Sequence, residues 1–172
     1  MNRRIILSLS AITLLGLTFL PDDLAVAQQK TPKEQLVGTW TYVSSTDTNS
    51  EGVKSDRWGP NAKGLAIFEA NGRYSFMISR SDIPKFAVNN ANQGTATENK
   101  AVVTGIVAHF GTWSIDDATK TINTNVEASS FPNLNGTSQK RVIISLTADE
   151  LKYANPLTTT GAKSEVVWKR AK

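Results

Sequence analysis

The chain has 172 residues and a formal net charge of +4, enough for one globular domain with its own core and too few for two large ones. It holds no cysteine and one histidine, which excludes disulfides, thiolate nucleophiles and cysteine-ligated metals and leaves multi-imidazole zinc or copper sites without ligands. The charges are scattered singly, with no basic run interleaved with aromatics, so a nucleic-acid partner is not expected.

In chain order, Arg3 and Arg4 come first, followed by an uncharged apolar run from Ile5 to Leu20. Pro21 ends that run, and Ala25-Val26-Ala27 offers small residues at alternate positions, the pattern of an export signal cut after Ala27. Residues 1–27 are therefore read as a signal peptide, and the rest as exported to the periplasm or medium. The run is shorter than the roughly 20 apolar residues of a spanning helix, so no stable membrane anchor is expected after cleavage. Residues 28–35 are polar, contain Pro32 and read as a flexible lead-in, with a single helical turn available from Glu34 to Val37.

From residue 36 to 172 the period changes to that of strands. Eight apolar or alternating stretches follow: Leu36–Ser45, Gly64–Glu69, Arg73–Ser79, Thr104–Asp116, Lys120–Ala128, Lys140–Thr147, Leu151–Ala154 and Ser164–Arg170. Asn71-Gly72, Asp116-Asp117 with Thr119, and Ala148-Asp149-Glu150 suit tight hairpins, so neighbouring strands pair antiparallel. Two connections are long, Thr46–Lys63 and Arg80–Val103; the second carries a capped short helix over Thr97–Val102, and its size suits a lid or floor.

Eight strands close as an up-and-down barrel or stack as a sandwich, and periodicity alone leaves both open. Gly38-Thr39-Trp40 is echoed by Gly111-Thr112-Trp113, each a glycine two residues before a tryptophan on the same face. Such pairs lay wide rings across the narrow end of a closing barrel, which favours the barrel.

Alternation turns Tyr74 and Phe76 inward and puts His109 on the face of Gly111 and Trp113. His109 is the one side chain with an ordinary pKa near neutrality; as a proton shuttle it needs a partner such as Glu127 or Tyr74. Arg141, after the Phe131-Pro132 turn, is suited to a ligand carboxylate or to the carbonyls of that turn. No nucleophile elbow, phosphate-cradling loop, calcium loop or cofactor motif is present, so no catalytic residue beyond the weak candidate His109, no metal and no cofactor are expected.

Leu36-Val37-Gly38-Thr39-Trp40 resembles the opening strand of the lipocalin-like domain family of bacteria and fungi. The likeness continues through Trp58-Gly59-Pro60-Asn61-Ala62-Lys63-Gly64, the Asn71-Gly72-Arg73-Tyr74 hairpin and Phe110-Gly111-Thr112-Trp113. It extends to the Phe131–Thr137 turn with Arg141 and to the closing Val167-Trp168-Lys169-Arg170. The resemblance implies an up-and-down barrel of eight to ten strands with Lys169 or Arg170 over Trp40. Ile122-Asn123-Thr124-Asn125 stands where members often carry a histidine, so that general base has no counterpart here.

The combined expectation is an all-β, lipocalin-like antiparallel barrel that binds a small apolar or amphipathic molecule. Tyr74, Phe76, His109, Trp113 and Arg141 are the expected lining, and Gly38, Trp40 and Arg170 the structural set. Two alternatives stay open: an isomerase, cyclase or dehydratase using the cavity and His109, and a structural exported domain with a filled core.

Overall fold

The computed structural model describes residues 30–172; the signal peptide expected over residues 1–27 lies outside the described residues. Part of the expected lead-in is helical. Thr31 caps helix α1 (Pro32–Leu36), its hydroxyl accepting from the Glu34 amide at 3.2 Å while the Glu34 carboxylate accepts from the Thr31 amide at 2.8 Å. This reciprocal cap with proline at the first helical position fixes one turn that propensity alone would not hold.

The strands are β1 (Gly38–Thr48), β2 (Lys54–Ser55), β3 (Lys63–Phe68), β4 (Arg73–Ser79), β5 (Ile106–Asp116), β6 (Thr121–Ser129), β7 (Ser138–Leu146), β8 (Glu150–Asn155) and β9 (Lys163–Arg170). All neighbours pair antiparallel, and β1 also pairs β9 from Trp40↔Arg170 to Thr48↔Lys163, which closes eight strands into a barrel. That pairing removes the sandwich alternative. The two-residue β2 is an addition on β1, inside the connection read as a loop.

The short hairpins all lie at one end of the barrel and the long connections at the other. At the first end the Gly72 amide donates to the Glu69 carbonyl at 3.0 Å, and Asp116 Oδ1 accepts from the Ala118 and Thr119 amides. At the second end lie residues 49–62, 80–105, 130–137 and 156–162, with helix α2 (Ala96–Gly105) in the longest of them. Thr95 and Glu98 repeat the reciprocal cap on α2, so the expected short helix forms and runs to Gly105.

The closed end is built around Trp40, which is fully buried. Its indole Nε1 donates to the Leu36 carbonyl at 2.8 Å, tying the first strand to α1. The Arg170 guanidinium lies over the ring, Cζ 4.1 Å from the centroid, and donates to the Val37 carbonyl at 3.0 Å, to Ala148 and to Gln35. Gly38 leaves room for that guanidinium: a Cβ there would sit 2.7 Å from Arg170 Nη1, and its φ of +128° is foreign to other residues.

Gly111 has a different reason. A Cβ at Gly111 would meet the Asn125 carbonyl at 1.9 Å, so its absence lets β6 pass close where the β5–β6 register shifts.

Candidate functional site

From the floor upward the interior is filled by an aromatic column. Trp113 packs edge-on against Phe68 at 5.3 Å, Phe68 stacks on Tyr74, and Phe76 stacks on His109 at 4.6 Å and 14° and meets Trp168 edge-on. These rings come from alternate positions of neighbouring strands, the inward set of a small barrel.

His109 is the polar member of the column. It is buried on β5, and its Nδ1 is 2.9 Å from the Tyr74 hydroxyl on the facing strand. Burial, and secondarily the positive charge of Arg141, pull its pKa down to about 3. The imidazole is therefore neutral at physiological pH. It carries no imidazolium proton to give as an acid and is a much weaker base than an ordinary histidine, so the arrangement suits hydrogen bonding better than proton transfer. Glu127, the other partner considered for His109, is instead paired on the outer surface with Arg73, whose Nη2 donates to its Oε2 at 2.9 Å.

Arg141 projects inward from β7. Its Nη1 donates to the Asn155 side-chain oxygen at 3.2 Å and to the Lys140 carbonyl at 2.8 Å, and its Cζ stands 6.0 Å from the Tyr153 ring centroid. It has no acidic partner among the described residues. It hydrogen-bonds neither the carbonyls of the 131–137 turn nor an acidic group among the described residues; Nη1 carries both of its hydrogen bonds, and its charge also acts on the nearby Tyr153 hydroxyl.

Two hollows meet at His109 and Arg141. The deeper, about 20 Å³, is walled by Tyr74, Phe76, Thr124 and Tyr153 among others. It has room for about one water. The buried Thr124 hydroxyl finds no hydrogen-bond partner among the described residues: it lies beside the Tyr74 phenol but outside bonding geometry, as Trp168 Nε1 does beside Tyr153.

The upper hollow, about 60 Å³, opens toward the mouth and is lined by Asp47, Arg57, Trp58 and Ser164 with His109 and Arg141. An open groove of about 350 Å³ continues it outward past Val103, Ile106, Val107 and Phe131, sharing Arg57 and Thr159. The enclosed space is small against the ~300–1,000 Å³ of drug-sized pockets, so it has room for a small group only.

Tyr74, His109 and Arg141 thus come together, and Phe76 lines the deeper hollow beside them. Trp113 does not join them: its Nε1 donates to the Glu69 carbonyl at 3.0 Å in the floor hairpin, and it lines neither hollow. Asp47, Arg57, Trp58, Thr124, Tyr153 and Asn155 were absent from the expected lining. For Tyr153 the signal existed, since Leu151 and Tyr153 alternate inward on β8.

The lipocalin-like domain family matches residues 37–171. The chain belongs to that family. Among solved structures, the lipocalin-like barrel is similar to a lipocalin-like protein from Bacteroides uniformis, at 13% identity and TM-score 0.42, covering 80% of this chain and 99% of that one. It is also similar to bovine odorant binding protein, at 17% identity and TM-score 0.40, covering 83% and 74%. An amine binding protein of Rhodnius prolixus matches at 10% identity and TM-score 0.41, covering 83% and 66%. No curated protein matches the chain in sequence.

Proposed function

We propose that this lipocalin-like barrel binds one small amphipathic molecule at its open end. The apolar body rests against Val103, Ile106 and Phe131, and an anionic head enters the upper hollow toward Arg141. The observation that carries this reading is the inward guanidinium of Arg141 without an acidic partner. An inward cation is costly unless something supplies the opposite charge, and the planar fork of arginine fits a carboxylate.

Fluorescence is the direct test, because Trp58 lines the hollow. Octanoate and 1-octanol share an alkyl body and differ in the head. The acid should bind about tenfold or more tighter, the magnitude of a charge-assisted hydrogen bond. Arg141→Met should remove that preference while leaving the weaker alcohol binding in place. Equal binding of acid and alcohol by the unaltered protein would end the proposal.

We further infer that the chain is exported and cleaved after Ala27, on the strength of Arg3, Arg4, the Ile5–Leu20 run and Ala25-Val26-Ala27. The mature protein should begin at Gln28 when its N-terminus is sequenced from the periplasm or medium. A full-length chain confined to the cytoplasm would overturn the inference.

A further inference from the structure

Asp47 is the second charged group of the upper hollow that the binding reading leaves unused. It lies near the mouth end of β1, is only 5% exposed, and makes no hydrogen bond or ion pair among the described residues. A carboxylate removed from bulk water without a hydrogen-bond donor is unfavourable, and the open space in front of Asp47 is the hollow itself.

Its position relative to Arg141 is set by the strand register. Asp47 on β1 is opposite Ser164 on β9, Ser164 is opposite Asn155 on β8, and the Asn155 side chain accepts from Arg141 on β7. A polar row therefore crosses four neighbouring strands, with a negative group at one end and a positive group at the other. Three inter-strand steps amount to roughly 14 Å along the curved wall; the Arg141 guanidinium covers the first by reaching Asn155, and both it and Asp47 line the same hollow of about 60 Å³.

Arg57 is the nearest competing partner for Asp47. It stays beyond ion-pair distance, donates Nη1 to the Thr159 hydroxyl at 3.0 Å and lies 4.6 Å over the Trp58 ring. Burial holds the Arg57 pKa below its ordinary value and the charge of Asp47 acts against that, so the two groups feel each other across the hollow without forming an ion pair. His109 is neutral, so it does not compete for Asp47 either.

We propose that the upper hollow selects an amino-acid-like zwitterion, with the ligand carboxylate on Arg141 and its ammonium group on Asp47. This rests on the anionic-head reading and adds a second recognition point to it. A ligand carrying only the carboxylate leaves Asp47 without a donor, and one carrying only the ammonium leaves Arg141 without an acceptor. Discrimination arises from whichever group is left unmatched.

The test uses 3-phenylpropionate, L-phenylalanine and 2-phenylethylamine, which share an arylalkyl body and differ in the head, titrated calorimetrically into the purified protein. L-Phenylalanine should bind about tenfold or more tighter than either of the others, the effect of one hydrogen-bonded charge. Asp47→Asn, nearly isosteric, should bring L-phenylalanine and 3-phenylpropionate to within about twofold by weakening only the former.

In the unaltered protein, 3-phenylpropionate binding as tightly as L-phenylalanine overturns the zwitterion proposal, while its loss in Arg141→Met leaves the anionic-head reading standing. Equal weakening of both probes by Asp47→Asn also overturns it and makes Asp47 a support for Arg57. If none of the three probes binds while octanoate still binds more tightly than 1-octanol, the zwitterion proposal fails and the anionic-head reading stands. The comparison within the unaltered protein needs no variant to fold.

Discussion

Trp40→Ala removes the ring on which the closed end is assembled. The side chain has no exposed surface, so truncation leaves a cavity, and large aromatic truncations in cores cost about 3–5 kcal/mol. Two further losses push toward the upper end of that range. The Leu36 carbonyl loses its indole donor, worth about 0.5–1.5 kcal/mol, and Arg170 loses its ring face, worth about 0.5–2 kcal/mol. A total near 5 kcal/mol equals the entire stability of many domains, which lies at about 5–15 kcal/mol. Urea unfolding followed by circular dichroism should move its midpoint down by about 2 M or more, given slopes of about 1–3 kcal/mol per molar urea for small domains. Arg170→Met keeps the ring and should fall by a smaller step. An unchanged midpoint for Trp40→Ala would refute the floor and the reasoning built on it.

His109 should make stability depend on acid. Its folded pKa near 3 lies below the ordinary value of 6.5, so the unfolded chain takes up the proton first. The stabilisation is complete above the unfolded pKa and is lost as pH falls through that window, by up to about 1.4 kcal/mol per pH unit. His109→Gln should flatten the acid limb of the stability profile measured by denaturant unfolding, and an unchanged slope would mean that the ring reaches water. Gly111→Ala forces a Cβ to within 1.9 Å of the Asn125 carbonyl, so β5 and β6 must part. A loss of about 3 kcal/mol or more, or an insoluble protein, is expected, and near-normal unfolding would contradict the close strand approach. Glu127→Gln breaks only an exposed pair with Arg73 and should leave both the unfolding midpoint and the Tyr74–His109 signals in NMR spectra unmoved. A shifted histidine signal would link that carboxylate to the interior after all.

The elements that local chemistry dictates were legible. Asn71-Gly72 makes a hairpin whatever surrounds it, Thr95 with Glu98 starts a helix, and Tyr74 and Phe76 alternate inward on β4 without interruption. What depends on register was not. Counting by twos from Trp40 and Tyr42 puts Ser44 and Thr46 inside, but a bulge between Tyr42 and Ser44 shifts the parity, and Ser45 and Asp47 are buried instead. Asp47 was thereby hidden in what read as a loop.

Arg57 and Trp58 reach the hollow only because the 49–62 connection folds back over the mouth, held by a hydrogen bond from Arg57 to Thr159, 102 residues away. No local pattern encodes such a contact. Trp113 shares the Gly-Thr-Trp motif with Trp40 and shares its fate at the closed end. The reading that set it nearer the cavity gave too little weight to the hairpin it caps, where its indole bonds Glu69.

Ligand binding by this barrel turns on an anionic head meeting Arg141 inside the mouth. The most direct measurement is NMR of the arginine side-chain signals during titration with octanoate. The signals of Arg141 and the Asn155 side-chain amide should shift together and saturate, with smaller changes at Val103 and Phe131 and none at Arg170 in the floor. Saturable shifts at Arg170 or on the outer strand faces, with Arg141 unmoved, would contradict it.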